Sequence, residues 1–187
     1  RGSRDRRGRR PGLPGGDADE QARYLEADVG PLRVASVYLP NGNPVPSDNF
    51  AYKLQWFKRF NAHARTLVDR DVVLCGDFNV VPTNIDIYNA GTWRFDAVLQ
   101  PEARQAYRRL LAQGWVDSAR HLNPQGREEL YTFWVSGYAF GRNAGFRMDF
   151  VLLSPGLSAK LRAAGVDAEY RGRERPSDHA PAWVELG

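Results

Sequence analysis

The sequence predicts an α/β or α+β fold with a central sheet, because short apolar runs typical of strands alternate with segments in which apolar residues recur at helical spacing. Two observations support this prediction most strongly. Residues 72–75 form a continuous apolar run, and long helical patterns begin near Ser47 and Pro101. No internal repeat is visible, and 187 residues are enough for one sizeable domain.

The first half of the chain contains two predicted strands and a predicted helix. Residues 32–39 form a short apolar run that ends in a Pro-Asn turn, which is typical of a strand. Ser47 can cap a helix that reaches about Val68. The apolar run at 72–75 predicts a strand that is buried on both faces.

The second half continues the alternation of helices and strands. Pro101 can open a second long helix, and Gly114 is its expected end. A short helix is predicted from Ser154 to Gly165. Further strands are predicted near residues 130–134, 148–153 and 181–186.

Residues 1–20 are predicted to be a disordered tail, followed by a domain from residue 21 to 187. The tail is rich in Arg, Gly, Pro and Asp, and Leu13 is its only large aliphatic side chain, so burial cannot offset its ordering entropy. Residues 1–10 carry six arginines and one aspartate, a net charge of +5, so the rest of the chain sums to −1. A basic arm that grips phosphates is one interpretation, and a solvated tail is the more common one.

Composition excludes a membrane protein and favours a cytoplasmic one. Hydrophobic residues make up 42% of the chain and charged residues 26%, as in ordinary globular proteins. No apolar run approaches the ~18 residues of a spanning helix, and no secretory h-region is visible at the N-terminus. Cys75 is the single cysteine, which excludes an intramolecular disulfide and suits a reducing compartment.

Three short segments place acidic or amide side chains beside a predicted strand, where a rigid scaffold can aim them at a ligand. Asp77 and Asn79 follow the apolar run at 72–75, and Asp149 opens another apolar strand. Asp178 and His179 stand side by side before the last strand. Such a pair suits a hard-cation site or an acid/base pair.

Each segment also has a structural interpretation. Gly76 permits a tight turn, and Asp and Asn after a strand are common turn formers. His179 taken alone would be an ordinary hydrogen-bonded histidine. The combination favours chemistry, because His179 is flanked by an acid whereas His63 and His121 are not.

Five segments carry a more specific signal. They are VASVYLPNG at 34–42, LCGDFN at 74–79, YTFW at 131–134, FRMDFVLLS at 146–154 and PSDHAP at 176–181. In this order they resemble the signature segments of the exonuclease III family of abasic-site endonucleases, within the endonuclease/exonuclease/phosphatase superfamily. The resemblance runs from about Gln21 to the C-terminus and implies a DNase I-like two-sheet sandwich flanked by helices.

The resemblance implies roles for the residues that match these segments. Tyr38 would contact the scissile phosphate, and Asn41 would hydrogen-bond near it. Asp77 would activate the attacking water or protonate the leaving oxygen, while Asn79 would help to orient it.

The acidic and histidine positions near the C-terminus complete the implied site. His179 would bind the phosphate with its imidazole oriented by Asp149, and Asp178 would help to hold Mg²⁺, for which Mn²⁺ is an alternative. Either Asp77 or His179 could be the general base. The residues implied in metal binding are Asp77, Asn79, Asp178 and His179.

Substrate choice would depend on aromatic and apolar residues. In the abasic endonucleases the positions of Phe133, Phe146 and Met148 line a pocket for a flipped, base-less sugar. The alternative is that these are ordinary core residues. Trp134, in the same segment as Phe133, is a further candidate for substrate contact.

The implied function is Mg²⁺-dependent base excision repair by a monomer. The substrate would be double-stranded DNA, incised at abasic sites or degraded 3′ to 5′ as by an exodeoxyribonuclease III. Two alternatives stay open, a sibling phosphoesterase acting on a small phosphate ester and a catalytically inactive fragment. The fragment is considered because a strand bearing an Asn and a later Glu, both central to the family's metal site, are not found, so the N-terminal part of the fold is expected to be missing. The uncovered sheet face would then expose apolar area.

Overall fold

The computed structural model describes residues 10–16, 19–126 and 130–187. Most strands belong to one six-stranded sheet, in which β3 and β4 run parallel and the other neighbouring strands run antiparallel. The strands of this sheet are β1 Arg10–Pro11, β2 Tyr24–Val29, β3 Leu32–Tyr38, β4 Val72–Asp77, β5 Val116–Asp117 and β6 Asp149–Leu153. Their spatial order is β1-β2-β3-β4-β6-β5.

Within the part of the chain that the structure describes, a second sheet and five helices complete the fold. Strands β7 Leu161–Val166 and β8 Ala182–Leu186 pair antiparallel in the second sheet. The helices are α1 Asp48–Arg65, α2 Pro101–Leu111, α3 Ser118–Leu122, α4 Gly137–Gly141 and α5 Pro155–Ser158, with 3₁₀ turns at Asn84–Asp86 and Ala168–Gly172. Among the described residues, no helix is long and apolar enough to cross a membrane.

The two long helices begin where the sequence predicts. The Ser47 side chain caps α1 by accepting a hydrogen bond from the Phe50 amide at 3.2 Å. Pro101 occupies the first turn of α2, where a missing N–H costs nothing. Helix α1 ends at Arg65, three residues earlier than expected, with Thr66 as its C-cap.

Strand β4 separates the two sides of the core, because successive side chains point to opposite faces of a sheet. Val72 and Leu74 pack with the side chains of α1 and α2. Val73 and Cys75 pack with side chains of β7 and β8. On this second side Val73 is buried and Cys75 is partly buried, so the apolar face that the sequence predicts to be exposed is exposed only in part.

Two predicted elements differ from the structure. Residues 130–134 do not form a strand, because Phe133 makes only isolated bridges to Phe146 and His179. The helix predicted from Ser154 to Gly165 ends at Ser158, and β7 follows. Pairing with β8 overrides the helical pattern there.

Strand β2 was not predicted, because its sequence contains charged residues that suggest a surface loop. Glu26 is nevertheless fully buried. Its carboxylate contacts His63 and accepts hydrogen bonds from the Tyr24 hydroxyl at 3.0 Å and from Arg33 at 3.2 Å. These partners allow a carboxylate to lie inside the sheet and helix layers.

The predicted disorder of residues 1–20 does not hold for the part that the structure describes. Residues 10–11 pair with β2, and Leu13 packs against the main core. The Asp19 carboxylate contacts Arg59 and accepts a hydrogen bond from the Tyr52 hydroxyl at 2.9 Å. Residues 1–9 and 17–18, with most of the arginine run, lie outside the described residues.

Candidate active site

Strand register places three predicted site residues side by side at one end of the large sheet. Tyr38 pairs with Asp77 across β3 and β4, and Asp77 pairs with Asp149 across β4 and β6. Directly opposed residues on neighbouring strands point to the same face. The alternation along β4 puts that face on the side of the second sheet, together with Val73 and Cys75.

Gly76 allows β3 and β4 to approach closely next to Asp77. It lies inside β4 at φ 136°, and a Cβ atom there would be 2.0 Å from the Val37 carbonyl oxygen. The tight turn expected at Gly76 is therefore wrong. The residue must be glycine because of a strand contact and an unusual φ.

The Asp77 carboxylate is held by Asn79. The Asn79 amide N–H donates to Asp77 Oδ1 at 2.7 Å, and its side-chain Nδ2 donates to Oδ2 at 3.0 Å. Burial and the negative charge of Asp149 nevertheless raise the pKa of Asp77 to about 7. This carboxyl can therefore take up or release a proton near neutral pH.

Asn79 is itself fixed by hydrogen bonds. Its backbone is left-handed at φ 45°, a conformation that Asn tolerates better than most residues. Nδ2 also donates to the Leu39 carbonyl at 2.8 Å, and Oδ1 accepts from Asn41 Nδ2 at 3.1 Å. The two amides predicted from the sequence thus form a chain that ends on Asp77.

His179 and Asp149 form the contact expected from the resemblance. His179 Nδ1 lies 2.7 Å from Asp149 Oδ2, which leaves Nε2 as the nitrogen for a ligand. Burial alone would lower the pKa of His179, but the hydrogen bond and charge of Asp149 outweigh it and raise this pKa. The protonated form of the imidazole is thereby favoured beside the Asp77 row.

The aromatic candidates separate into two environments. Phe133 is half-buried, with its ring 5.0 Å from the His179 ring and 5.6 Å from Phe146. Phe146 and Met148 belong to a buried apolar cluster. Trp134 is 1% exposed and belongs to another cluster, so its packing does not support the substrate contact expected for it.

A cavity of about 280 Å³ adjoins Phe146. Trp93 lines the same cavity, with its ring 4.9 Å from that of Phe146. Larger cavities of about 910 and 510 Å³ lie along α1 and contain none of the predicted site residues. Of these three cavities, the one shared by Phe146 and Trp93 is lined by a predicted site residue.

Residues 5–179 match the Endonuclease/Exonuclease/phosphatase family. The chain belongs to this family. It is 31% identical to an exodeoxyribonuclease III from Haemophilus influenzae, over 95% of this chain and 71% of that protein. It is also 30% identical to a DNA-(apurinic or apyrimidinic site) endonuclease from Dictyostelium discoideum, over 89% of this chain and 46% of that protein.

Solved structures confirm the predicted two-sheet fold. A 3′ phosphatase from Neisseria bound to a product DNA hairpin superposes with a TM-score of 0.91 at 37% identity, covering 96% of this chain and 70% of that one. An AP endonuclease from Archaeoglobus fulgidus gives a TM-score of 0.89 at 30% identity, with 95% and 70% covered. The chain thus spans between 46% and 71% of the length of these similar proteins.

The predicted metal ligands do not form a metal centre by themselves. Within residues 10–16, 19–126 and 130–187, no three His, Cys, Asp or Glu side chains converge so as to hold an ion. The side chain of Asn79 donates hydrogen bonds to Asp77 and Leu39 and accepts one from Asn41. Asp178 is exposed. The family's metal would need ligands beyond this set.

Thr132 is a site residue that sequence reasoning missed. Its buried Oγ1 accepts hydrogen bonds from the amides of both Met148 and Asp149 at 3.1 Å. Its carbonyl oxygen accepts a hydrogen bond from the Ala180 amide at 2.8 Å, one residue beyond His179. Thr132 thereby holds the two segments that carry the Asp149–His179 pair. Its place in the YTFW segment was the only sequence signal.

Proposed function

We propose that this chain carries the catalytic site of a metal-dependent DNA repair phosphodiesterase, acting as an exodeoxyribonuclease III and abasic-site endonuclease on double-stranded DNA. The supporting observation is the row of Tyr38, Asp77 and Asp149 at one sheet end, with His179 held on Asp149. Relatives whose names state these activities support the same assignment.

The positive part of the site would bind the phosphate. Cleavage of a phosphodiester builds negative charge on the phosphate oxygens, and preorganised donors stabilise that charge. When His179 is protonated, its imidazolium can donate from Nε2 to one oxygen, because Nδ1 is engaged with Asp149. Tyr38 is 53% exposed, so its hydroxyl group is a second donor within reach of a substrate.

Asp77 would handle the proton. Its pKa of about 7 lies near the working pH, where a carboxyl is effective both as an acid and as a base. It would accept a proton from the attacking water or give one to the leaving 3′ oxygen, while Asn79 keeps the carboxylate in one orientation. This assigns proton transfer to Asp77 and charge stabilisation to His179.

The apolar residues would select the substrate. Phe133 lies between His179 and Phe146, and the cavity beside Phe146 is closed on another side by Trp93. A base-less sugar is small and apolar enough for such a site, whereas a normal nucleotide would be excluded by size. Phe133, Phe146 and Met148 are the residues assigned to this selection, Met148 as support within the cluster.

Mg²⁺, with Mn²⁺ as the alternative, is the proposed cofactor, and it would supply further stabilisation of the developing phosphate charge. Asp77 and Asp178 are the carboxylates of this chain assigned to it. We assign the protein to the cytoplasm, in keeping with the free Cys75, and expect it to act as a monomer.

The test is incubation of the purified chain with a labelled duplex that contains one abasic analogue, in Mg²⁺ and in EDTA. Mg²⁺-dependent cleavage that is lost in Asp77→Asn and kept in Asp71→Asn, an exposed control, supports the proposal. Cleavage that is unaffected by Asp77→Asn would contradict the assigned site. A folded chain without any turnover would favour the inactive-fragment alternative.

A second candidate function is removal of a 3′ phosphate from DNA. It is favoured by the 37% identity to the 3′ phosphatase from Neisseria. The same site would serve, since both reactions build charge on phosphate oxygens. A duplex with a 3′-phosphate end, assayed beside the abasic duplex, separates the two activities, and inositol or lipid phosphates test the sibling phosphoesterase.

A further inference from the structure

Lys53 is a buried lysine with no assigned role. It lies in α1, and its side chain is fully buried, which is rare for lysine. An ammonium group has three donors and no acceptor. Lys53 Nζ donates all three, to the carbonyl oxygens of Asn41 at 2.9 Å, Asn79 at 2.6 Å and Ala97 at 3.3 Å.

The three carbonyls belong to loops that are far apart in the sequence. Asn41 follows β3, Asn79 follows β4, and Ala97 precedes α2. Two of these loops are linked to the Asp77 carboxylate by side-chain hydrogen bonds, which run from Asn41 to Asn79 and from Asn79 to Asp77. Lys53 therefore joins both loops through the backbone carbonyl oxygens of Asn41 and Asn79, whose side chains also hydrogen-bond to each other.

Packing around the lysine stem supports this arrangement. Gly42 lies at φ 88°, and a Cβ atom there would be 2.6 Å from Lys53 Cδ, so the loop after β3 rests directly on the stem. Asn43 ties that loop to the third one, since its Oδ1 accepts from the Ala97 amide at 2.9 Å. Its Nδ2 donates to Asp96 at 3.1 Å.

A charged group is unnecessary if Lys53 only fills space. An apolar side chain of similar volume avoids the cost of burying an ammonium group, so a buried charge is weak evidence for stability. Burial lowers the pKa of Lys53 to about 7, while the charges of Asp96 and Asp77 favour its protonated form. What an apolar side chain cannot replace is the set of three hydrogen bonds.

We propose that Lys53 is a positioning residue, which fixes the Asn41 and Asn79 loops relative to each other and thereby sets the orientation of the Asp77 carboxylate. Its effect on catalysis rests on the proposed function, because only that function makes Asp77 a catalytic residue. Its effect on the loops does not.

The test is hydrogen exchange of the full chain, comparing wild type with Lys53→Met. Met fills a similar volume without donors. We expect exchange at residues 39–43, 77–81 and 96–98 to rise about tenfold or more, as after loss of hydrogen bonds to a charged group. Lys58→Met, an exposed lysine on the same helix, is the matched control and should leave all three segments unchanged. Unchanged exchange in Lys53→Met, or a uniform rise that includes β6, overturns the proposal.

Gly42→Ala perturbs the same stem from the other side. The added methyl group presses on Lys53, so exchange should also rise at 77–81. The three atoms nearest to a Cβ atom at Gly42 belong to Lys53 and Ala97, outside that segment. A rise confined to 39–43 would mean that only the local turn is strained and would overturn the proposal. This variant keeps the lysine, so the test does not depend on the folding of Lys53→Met.

Kinetics give a second readout. With an active chain, Lys53→Met should lower kcat about 10- to 100-fold with KM changed less than about threefold, because misplacement of a reacting group by a fraction of an ångström acts on the chemical step. A change in KM alone overturns the proposal. If the wild-type chain shows no turnover, the proposed function fails while the exchange experiment still decides the role of Lys53.

Discussion

Asp86, which is buried, and Asp77, which is partly buried, are held in opposite ways. Burial alone would raise the pKa of both. At Asp86 the guanidinium groups of Arg147 and Arg120 outweigh burial and lower the pKa, and Arg147 Nε lies 2.7 Å from Asp86 Oδ1. At Asp77 burial, reinforced by the negative charge of Asp149, raises the pKa to about 7.

The difference separates a structural carboxylate from the one to which the proposed function assigns proton transfer. Arg147 also contacts Asp117 at 2.8 Å, so the Asp86 site is a neutralised network that ties loops together. Asp77 has a like charge on the adjacent strand, an arrangement that costs stability and is typical of catalytic sites. Whether cationic partners outweigh burial decides which kind of site each of these aspartates forms.

The largest expected effect is on activity at Asp77. Asp77→Asn should lower turnover about 100- to 10,000-fold, the range of one acid/base group. The free energy of unfolding should stay unchanged or rise, since Asn is not repelled by Asp149. Turnover assays and urea unfolding on the same preparations measure both. A clear loss of stability would show that Asp77 is structural and would break the comparison.

Arg147→Met should act on stability. It leaves Asp86 and Asp117 buried with less compensation, and breaking a buried pair by removing one partner costs about 3–5 kcal/mol. Urea unfolding measures this cost. The matched control is Arg142→Met, an exposed arginine five residues away, for which a change within about 0.5 kcal/mol is expected. Equal effects of the two variants would refute the structural role of the network.

Thr132→Val should have an intermediate effect. It removes the acceptor of two buried amides while keeping the shape of the side chain, and buried donors without a partner cost about 1–3 kcal/mol. Turnover should fall too, because Asp149, which orients His179, loses the hydrogen bond that supports it. Thr66→Val, at the exposed end of α1, is the control. Normal turnover in Thr132→Val would argue that the Asp149–His179 pair positions itself.

The smallest expected effect is a difference in pH dependence, measured as unfolding free energy in EDTA. The folded pKa of Asp77 is raised, so its stabilising contribution is present below the unfolded value of ~3.9 and is lost as pH rises through about 7. The stability advantage of Asp77→Asn over wild type should therefore grow across that window.

Asp86 should show the opposite sign. Its folded pKa is lowered, so its contribution is present above ~3.9 and is lost as pH falls through the folded value. Asp86→Asn should thus reduce the acid sensitivity of the protein below that pH. If both substitutions changed the pH dependence of the unfolding free energy in the same direction, the two sites would not differ in the way described.

Much of the fold was predictable because its signals are local. The continuous apolar run of β4, the Ser47 cap of α1 and the Pro101 start of α2 can each be recognised within a few residues. Strand β2 could not be, since the partners that neutralise Glu26 include His63, which is 37 residues away. The strand β7 could not be either, because its pairing with β8 decides its structure.

The site was predictable where side chains themselves bear the chemistry. Asp77, Asp149 and His179 lie in short motifs, and strand register brings them together. Lys53 and Thr132 were missed because they act on backbone groups from distant segments. A lysine in an amphipathic helix and a threonine beside an aromatic residue give no local sign that backbone carbonyls or amides will surround them.

The row of Tyr38, Asp77 and Asp149 also determines which changes in chain length the site could survive. Its spacing is set by main-chain pairing of β3, β4 and β6. A single inserted residue within β4 would turn Asp77 to the helix side of the sheet while leaving every side chain of the site intact. Insertions in the exposed loop at residues 88–96 would leave the row in place. Gains and losses of residues in related sequences should therefore be confined to such loops, and a length change inside β4 should mark a relative that has abandoned this chemistry.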